Sequence, residues 1–184
     1  MEWDLALLRL INREWQLPLF DRMMPFLRNA DTWVPLYLFL ILMVLLNYRK
    51  TGWWWLVAAV STPILTDLLS SWVIKENCFR LRPCNEPLLT SWLRLLPGLS
   101  HPQSSSFTSS HAANHFGLAI FIFITLRQVI GRWRWLVFPW AALVGYAQVY
   151  VGVHYPFDIM AGAAVGLLVG YGTARAFEKR YSLQ

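Results

Sequence analysis

Charge is what this sequence has least of. Only 14% of its 184 residues are charged and 57% are hydrophobic, whereas a typical soluble domain is about 25% charged. A soluble domain of this length cannot bury so much apolar surface, so the composition excludes an ordinary soluble protein and predicts a polytopic membrane protein. The 11 Trp residues fit that reading, because indole rings favour the membrane–water interface.

Other absences narrow the function. The formal charge is +6, but the basic residues are scattered between apolar runs and form no stripe, which excludes nucleic acid as a partner. No His, Cys, Asp and Glu residues have convincing metal-ligand spacing, so we expect neither a metal nor another cofactor. The two cysteines, Cys78 and Cys84, either form a disulfide or remain free thiols. The chain start lacks a basic leader, so we expect no cleaved signal peptide.

Apolar runs predict five membrane spans, at residues 33–46, 53–74, 109–126, 135–153 and 157–177. The first falls short of the ~20 residues that a bilayer requires and needs flanking residues. In residues 3–28, Trp3, Leu7, Leu10 and Ile11 share one helical face, which predicts an interfacial amphipathic helix. The predicted fold class is therefore all-α, a polytopic membrane helical bundle of five to six membrane helices with an N-terminal amphipathic helix, in one domain over residues 1–184.

Basic residues in the short connections predict the orientation. If the spans alternate, the segments at residues 49–50, 127–134 and 175–180 lie on one side. Short basic flanks favour the cytoplasm. The loop at residues 75–107 is then expected on the opposite, outer side.

Three polar clusters fall on that outer side. They are Lys75, Arg80 and Arg82 after the second span; Ser109, Ser110 and His111 at the start of the third; and His154 and Asp158 between the fourth and fifth. Lys and Arg suit phosphate oxygens, and a helix start offers free N–H groups to an anion. Asp158 could hold one nitrogen of His154 and leave the other free to attack. The clusters predict phosphoryl transfer, with one histidine as nucleophile and the other as general acid.

The same clusters carry a family resemblance. The segments K-E-N-C-F-R-L-R-P, F-T-S-S-H and A-Q-V-Y-V-G-V-H-Y-P-F-D follow one another in the chain. They resemble the K-x6-R-P, P-S-G-H and S-R-x5-H-x3-D motifs of the type 2 phosphatidic acid phosphatase (PAP2) superfamily. The resemblance implies phosphate binding by Lys75, Arg82, Ser109 and the backbone around Ser110, protonation of the leaving oxygen by His111, attack on phosphorus by His154, and orientation of His154 by Asp158.

Two departures from the family pattern stand out. Thr108 and Ser110 replace the Pro and Gly of the second motif, and Ala147-Gln148 replaces the Ser-Arg of the third. Gln148 can hydrogen-bond to phosphate but carries no charge, so it either lines the site or packs between helices. Arg80 is the nearest candidate by sequence to supply the missing charge; the alternative for it is a surface ion pair with Glu76 or Glu86.

The resemblance implies a metal-independent hydrolase in the bacterial inner membrane, with its site facing the periplasm or outside and a membrane lipid as substrate. We expect a lipid phosphate or diphosphate, with undecaprenyl diphosphate first and lipid A or phosphatidylglycerophosphate as alternatives. Vanadium haloperoxidases share the motifs, but they are soluble, which the apolar spans exclude. A non-catalytic lipid-phosphate binder or transporter stays open because the third-motif Arg is missing. The sequence does not predict the oligomeric state.

Overall fold

The structure, a computed structural model, describes residues 2–183, and every regular element within that range is helical. This confirms the all-α fold class. The α-helices are α1 (Glu2–Arg9), α2 (Pro18–Leu27), α3 (Val34–Asp67), α4 (Lys75–Asn77), α5 (Ser110–Thr125), α6 (Arg127–Ile130), α7 (Val137–Tyr150) and α8 (Pro156–Glu178). π-Helical turns cover Leu10–Glu14 and Leu68–Ile74, and short 3-10 turns cover Ala30–Trp33, Pro83–Asn85, Pro87–Leu89 and Gly131–Leu136.

Helix α3 reverses direction and contains the first two predicted spans. The reversal occurs at Arg49, whose backbone has φ 40° and ψ −116°. The two halves then approach so closely that a Cβ at Gly52 would lie 2.9 Å from the carbonyl oxygen of Val44. Because only glycine leaves room for that approach, Gly52 permits the tight turn between the two halves.

The number of membrane crossings remains a prediction. By length and apolar composition, two helical stretches are able to cross a membrane, Ala30–Asn77 and Pro156–Glu178. A third is possible if Ser110–Thr125 and Arg127–Tyr150, which are bent by 73°, form one broken span. The first stretch includes the reversal at Arg49. Each of the five predicted spans therefore coincides with a helical segment.

Small residues join α5 to α8. A Cβ added to any of three glycines spaced four apart on α8 would collide with a carbonyl oxygen of α5; the pairs are Gly162 with Ser109, Gly166 with Ala113 and Gly170 with Gly117. This small-xxx-small spacing is typical of closely packed membrane helices. It places the N-termini of α5 and α8 side by side, and those ends carry the second and third motifs.

The N-terminal segment packs on the bundle through the side of α1 that carries Asp4 and Leu8. Trp3 and Leu7 are 43% and 40% exposed, whereas Asp4, Leu8 and Asn12 are fully buried. Exposure of Trp3 and Leu7 fits the predicted interfacial helix, whose apolar face turns away from the bundle. In a membrane protein the apolar face can turn to lipid while polar groups pair inside the protein. The segment thus lies against the bundle through a mixed face, in which Asp4 and Asn12 flank the apolar Leu8.

The basic connections gather at the end of the bundle away from the three motifs. Val44, Trp55, Leu126 and Phe177 belong to one buried apolar cluster. Val44 and Trp55 flank the turn in α3, Leu126 follows the end of α5, and Phe177 lies at the end of α8. These positions adjoin the basic segments at residues 49–50, 127–134 and 175–180, which the sequence analysis places on one side of the membrane.

Candidate active site

The three polar clusters meet where α5 and α8 begin. A hydrogen bond joins each pair of clusters: Lys75 Nζ donates to Ser110 Oγ (2.8 Å), Arg82 Nη1 donates to His154 Nε2 (2.9 Å), and the Ser109 N–H donates to the Asp158 carbonyl oxygen (3.2 Å). Residues separated by up to 83 positions in the chain thus form one polar pocket. The structure brings together all three segments that the sequence analysis singled out.

His154 is held in the tautomer that a nucleophile requires. Its side chain is almost fully buried, and Nε2 contacts Arg82, which can only donate a hydrogen bond. Nε2 therefore carries the lone pair, and the proton resides on Nδ1, which faces Asp158 Oδ2 at 3.6 Å and Ser106 Oγ at 3.4 Å. Burial lowers the pKa of His154 to about 4. The imidazole is thus neutral at neutral pH, and its Nε2 lone pair can attack once a bound phosphate takes over the hydrogen bond from Arg82.

Asp158 lies in the first turn of α8 and is fully buried. Its carboxylate accepts hydrogen bonds from Ser106 Oγ, from the Tyr155 N–H (3.0 Å) and from Arg80 Nη1 (2.8 Å). A carboxylate is also favoured at a helix N-terminus by the helix dipole. These contacts hold Asp158 ionised and fixed beside Nδ1 of His154.

Arg82 is anchored by the loop on the far side of His154. Its Nε donates to the Ser104 carbonyl (2.9 Å) and its Nη1 also donates to the Val153 carbonyl (3.1 Å). Burial lowers the pKa of Arg82. Within residues 2–183, no carboxylate contacts the side chain of Arg82 or Lys75 directly, although Asp158 lies within electrostatic range of both. Two such cations favour an anionic ligand.

The start of α5 provides the remaining polar groups. Ser109 Oγ accepts from the Ala112 N–H (3.3 Å) and so caps the helix. His111 is half-buried and lies within electrostatic range of His154 and Arg82. It is placed to exchange a proton with a group bound in the pocket.

An apolar groove begins at this pocket. It has a volume of about 540 Å³ and runs between both halves of α3 and α5. Ser110 and His111 lie at its polar end, and Leu40, Leu56 and Ile122 lie among the apolar residues along it. An apolar chain attached to a polar head group can occupy such a groove.

A family model described as the PAP2 superfamily matches residues 51–182. The chain belongs to the PAP2 superfamily. This confirms the resemblance carried by the three motifs. All three lie within the matched region.

Named PAP2-type proteins resemble the chain over most of its length. Lipid A 4'-phosphatase of Bacteroides thetaiotaomicron is 32% identical over 84% of this chain and 67% of its own length. Undecaprenyl-diphosphatase of Sulfolobus acidocaldarius is 28% identical over 92% of this chain and 76% of its own. The crystal structure of Aquifex aeolicus LpxE aligns with a TM-score of 0.64 and 28% identity, covering 93% of this chain and 94% of that one. The chain thus spans about two thirds of the lipid A 4'-phosphatase.

Arg80 contacts two carboxylates other than those of the predicted surface ion pair. Its Nη1 contacts Asp158 and its Nη2 contacts Asp4 at 2.6 Å, and in residues 2–183 it forms no ion pair with Glu76 or Glu86. Burial acts to lower the pKa of Arg80, but the two carboxylates raise it overall. With both terminal nitrogens engaged by carboxylates, Arg80 fixes Asp158. A phosphate contact by Arg80 stays a prediction.

Gln148 packs between helices. It is fully buried, and its Nε2 lies 3.5 Å from the Arg28 carbonyl at the end of α2. Its Oε1 has no hydrogen-bond partner within residues 2–183. Of the two alternatives for Gln148, the structure favours packing, and the prediction of a phosphate contact finds no support in its placement.

Two residues beside the PAP2 motifs were missed. Asp4 is buried, and it accepts from Arg80 and from the Phe157 N–H (2.9 Å) at the start of α8. Ser106 bridges Asp158 and His154. The run of serines at 104–106 was visible in the sequence, but no spacing rule indicates which of them reaches the third motif. The burial of Asp4 could not be predicted, because a charge in an amphipathic helix is expected to face water.

The cysteines form no disulfide with each other in this structure. Cys78 and Cys84 are both free thiols, the first exposed and the second half-buried, and burial raises the pKa of Cys84. Within residues 2–183, no group of three or more His, Cys, Asp and Glu side chains is arranged to hold a metal ion.

Proposed function

We propose that this chain is an integral membrane phosphatase that hydrolyses a lipid phosphate or diphosphate through a phosphohistidine. The observation that carries the proposal is the fixed tautomer of His154, whose Nε2 lone pair points at the cation Arg82 while Nδ1 faces Asp158. A substrate phosphate bound by Arg82 would meet that lone pair directly. PAP2 membership and the names of the related phosphatases support the same reaction.

The proposed reaction has two steps. In the first, Nε2 of His154 attacks phosphorus, the phosphorus–oxygen bond to the leaving group breaks, and His111 donates a proton to the departing oxygen. In the second, His111 takes a proton from water as the water attacks the phosphohistidine, which releases inorganic phosphate and restores His154. Lys75 and Arg82 neutralise charge on the phosphoryl oxygens in both steps.

The groove beside the pocket supports a lipid as the substrate. It begins at Ser110 and His111 and continues along apolar side chains toward the other end of α5. A substrate whose head group enters the polar pocket can therefore keep its apolar chain in contact with protein and lipid. Undecaprenyl diphosphate, lipid A and phosphatidylglycerophosphate all have this form.

A panel of detergent-dispersed lipid phosphates tests the proposal. We expect wild-type protein to release phosphate from at least one of undecaprenyl diphosphate, lipid A, phosphatidylglycerophosphate and phosphatidic acid. His154→Ala should abolish release and also the acid-labile phosphoprotein trapped by rapid quenching. His101→Ala is the matched control, because His101 lies exposed in the outer loop. Turnover by the His154 variant would contradict the nucleophile, and no release by wild type on any lipid would favour a non-catalytic binder.

We also propose that the pocket faces away from the cytoplasm, in the bacterial inner membrane. The basic connections lie at the opposite end of the bundle from the motifs, which supports this orientation. Native Cys78 is exposed in the outer loop and provides a probe. A membrane-impermeant maleimide should label wild type but not Cys78→Ser in intact spheroplasts. Labelling that occurs only after lysis would contradict this orientation and indicate that the loop faces the cytoplasm.

A further inference from the structure

The third motif lacks its arginine, and Gln148 stands at that position. Its Nε2 contacts the backbone carbonyl of Arg28 at 3.5 Å. Gln148 thus lies against a residue that carries the charge it lacks itself. Arg28 belongs to the N-terminal segment, outside the region 51–182 that the family model matches.

The end of α2 is fixed so that Arg28 has a defined place. The Arg28 N–H donates to the Met24 carbonyl (3.0 Å), Thr32 Oγ1 donates to the Phe26 carbonyl (2.7 Å), and Trp33 Nε1 donates to the Leu27 carbonyl (2.9 Å). With its own carbonyl facing Gln148, Arg28 closes a helix end in which the last carbonyls have partners. The backbone that carries the guanidinium is therefore well ordered by local contacts.

Packing places this helix end beside the catalytic histidine. Met24 and Leu27 share a buried cluster with Cys84 and Val153. Cys84 follows Arg82 by two residues, and Val153 directly precedes His154.

The charge of Arg28 reaches the same groups. It contributes to the electrostatic environment of Arg82, of Cys84 and of His111. Burial lowers the pKa of Arg28 itself. Within residues 2–183, no carboxylate and no other acceptor contacts its side chain, so this desolvated cation lacks a counterion.

We propose that Arg28 is a substrate-binding residue: its guanidinium supplies from the N-terminal segment the phosphate contact that the third motif has lost at Gln148. This inference rests on the proposed function. A half-buried cation beside Arg82 and His111, without a carboxylate of its own, fits a bound dianion. The competing explanation is structural, because an Arg at the C-terminal end of a helix is stabilised by the helix dipole.

Orthovanadate, a phosphate analogue, separates the two explanations. Arg28→Gln removes the charge but leaves the backbone carbonyl that Gln148 contacts. We expect kcat/KM to fall about tenfold to a hundredfold, because a charged hydrogen bond is lost. The vanadate inhibition constant should rise by a similar factor, and the melting temperature without ligand should stay close to that of wild type. Arg22→Gln is the matched control, since Arg22 lies exposed on the same helix.

Two further variants sharpen the test. Arg28→Lys keeps the charge but loses the planar fork, so we expect a loss of about threefold to tenfold; this variant also decides the question if Arg28→Gln does not fold. In the double variant R28Q/Q148R the charge returns to the motif position, and activity should rise at least tenfold above R28Q. A folded double variant that gains nothing would contradict the replacement.

The outcomes keep the two proposals apart. If wild type releases phosphate and Arg28→Gln matches it in kcat/KM and in vanadate inhibition, the inference about Arg28 is wrong while the proposed function stands. A lower melting temperature with an unchanged vanadate constant would assign Arg28 a structural role only. If wild type releases no phosphate from any lipid, the proposed function fails. The stabilisation of wild type by vanadate, and its loss in Arg28→Gln, can then still be measured by thermal unfolding.

Discussion

Substituting Asp4 tests whether the N-terminal helix holds the active site together. Asp4 is fully buried, and its two carboxylate oxygens accept from Arg80 Nη2 (2.6 Å) and from the Phe157 N–H (2.9 Å). Arg80 in turn fixes Asp158. Asp4→Asn preserves the shape of the side chain but removes its charge. We expect both the stability of the fold and the alignment of Asp158 to suffer.

The size of the effect follows from the two contacts. Asn has a single acceptor oxygen, so Asp4→Asn keeps the Phe157 contact as a neutral hydrogen bond, weaker by roughly 1 kcal/mol, and loses the charged hydrogen bond from Arg80, which contributes about 1.5–3 kcal/mol. Solvent offsets part of the loss at Arg80, whose side chain is 27% exposed. The free energy of unfolding should therefore fall by about 2 kcal/mol. For a chain of this length that corresponds to a melting temperature about 4–8 °C lower.

Thermal unfolding in detergent and steady-state kinetics measure the two consequences. Because Asp4 acts through Arg80 on Asp158, the residue proposed to orient His154, kcat should fall several-fold while KM changes little. Glu2→Gln is the matched control, since Glu2 is exposed on the same helix and should leave both quantities unchanged. An Asp4→Asn protein that melts and turns over like the Glu2 variant would refute the argument that α1 supports the site.

Three further predictions concern the candidate site and the packing of α5 against α8. Ser106→Ala removes the hydroxyl that donates to Asp158, so kcat should fall about tenfold at constant KM; an unchanged kcat would exclude a role in positioning. Gly166→Ala should yield aggregated protein by size-exclusion chromatography because a Cβ there meets the α5 backbone, whereas Gly172→Ala, with open space, should elute like wild type. Because burial lowers the pKa of His154 to about 4 and only the neutral imidazole attacks, kcat/KM should persist as pH falls from 7 to 5 and decline near 4. A decline centred at 6–7 would contradict this assignment.

Most of the fold and the central residues of the candidate site could be predicted from local sequence. Apolar runs predicted the helices, since lipid-exposed helices need continuous apolar segments. The pairing of His154 with Asp158 is a four-residue spacing, and such local relations are visible in one segment of sequence. Lys75 and Arg82 were predicted by their position after an apolar run together with the family motif.

What could not be predicted depends on contacts between distant segments. The Asp4–Arg80 pair joins residues 76 positions apart, and no periodicity connects them. The burial of Asp4 was missed for a related reason. A charge on an amphipathic helix is expected to face water, whereas Asp4 is fully buried and pairs with Arg80 inside the protein.

The charges around the pocket explain why an extra cation is needed there. The charged side chains that surround it are four cations and three carboxylates: Lys75, Arg80, Arg82, Arg28, Asp4, Asp158 and Asp67, the last of which lines the adjoining groove within electrostatic range of Lys75. Asp4 and Asp158 both contact Arg80, so that cation is compensated. The four cations exceed the three carboxylates by one charge. Without Arg28 the charges would cancel, and no excess positive charge would remain for an anion in a desolvated site. A chain with glutamine at position 148 therefore needs a cation from elsewhere to bind its substrate, and Arg28 is the one beside Arg82 that no carboxylate neutralises.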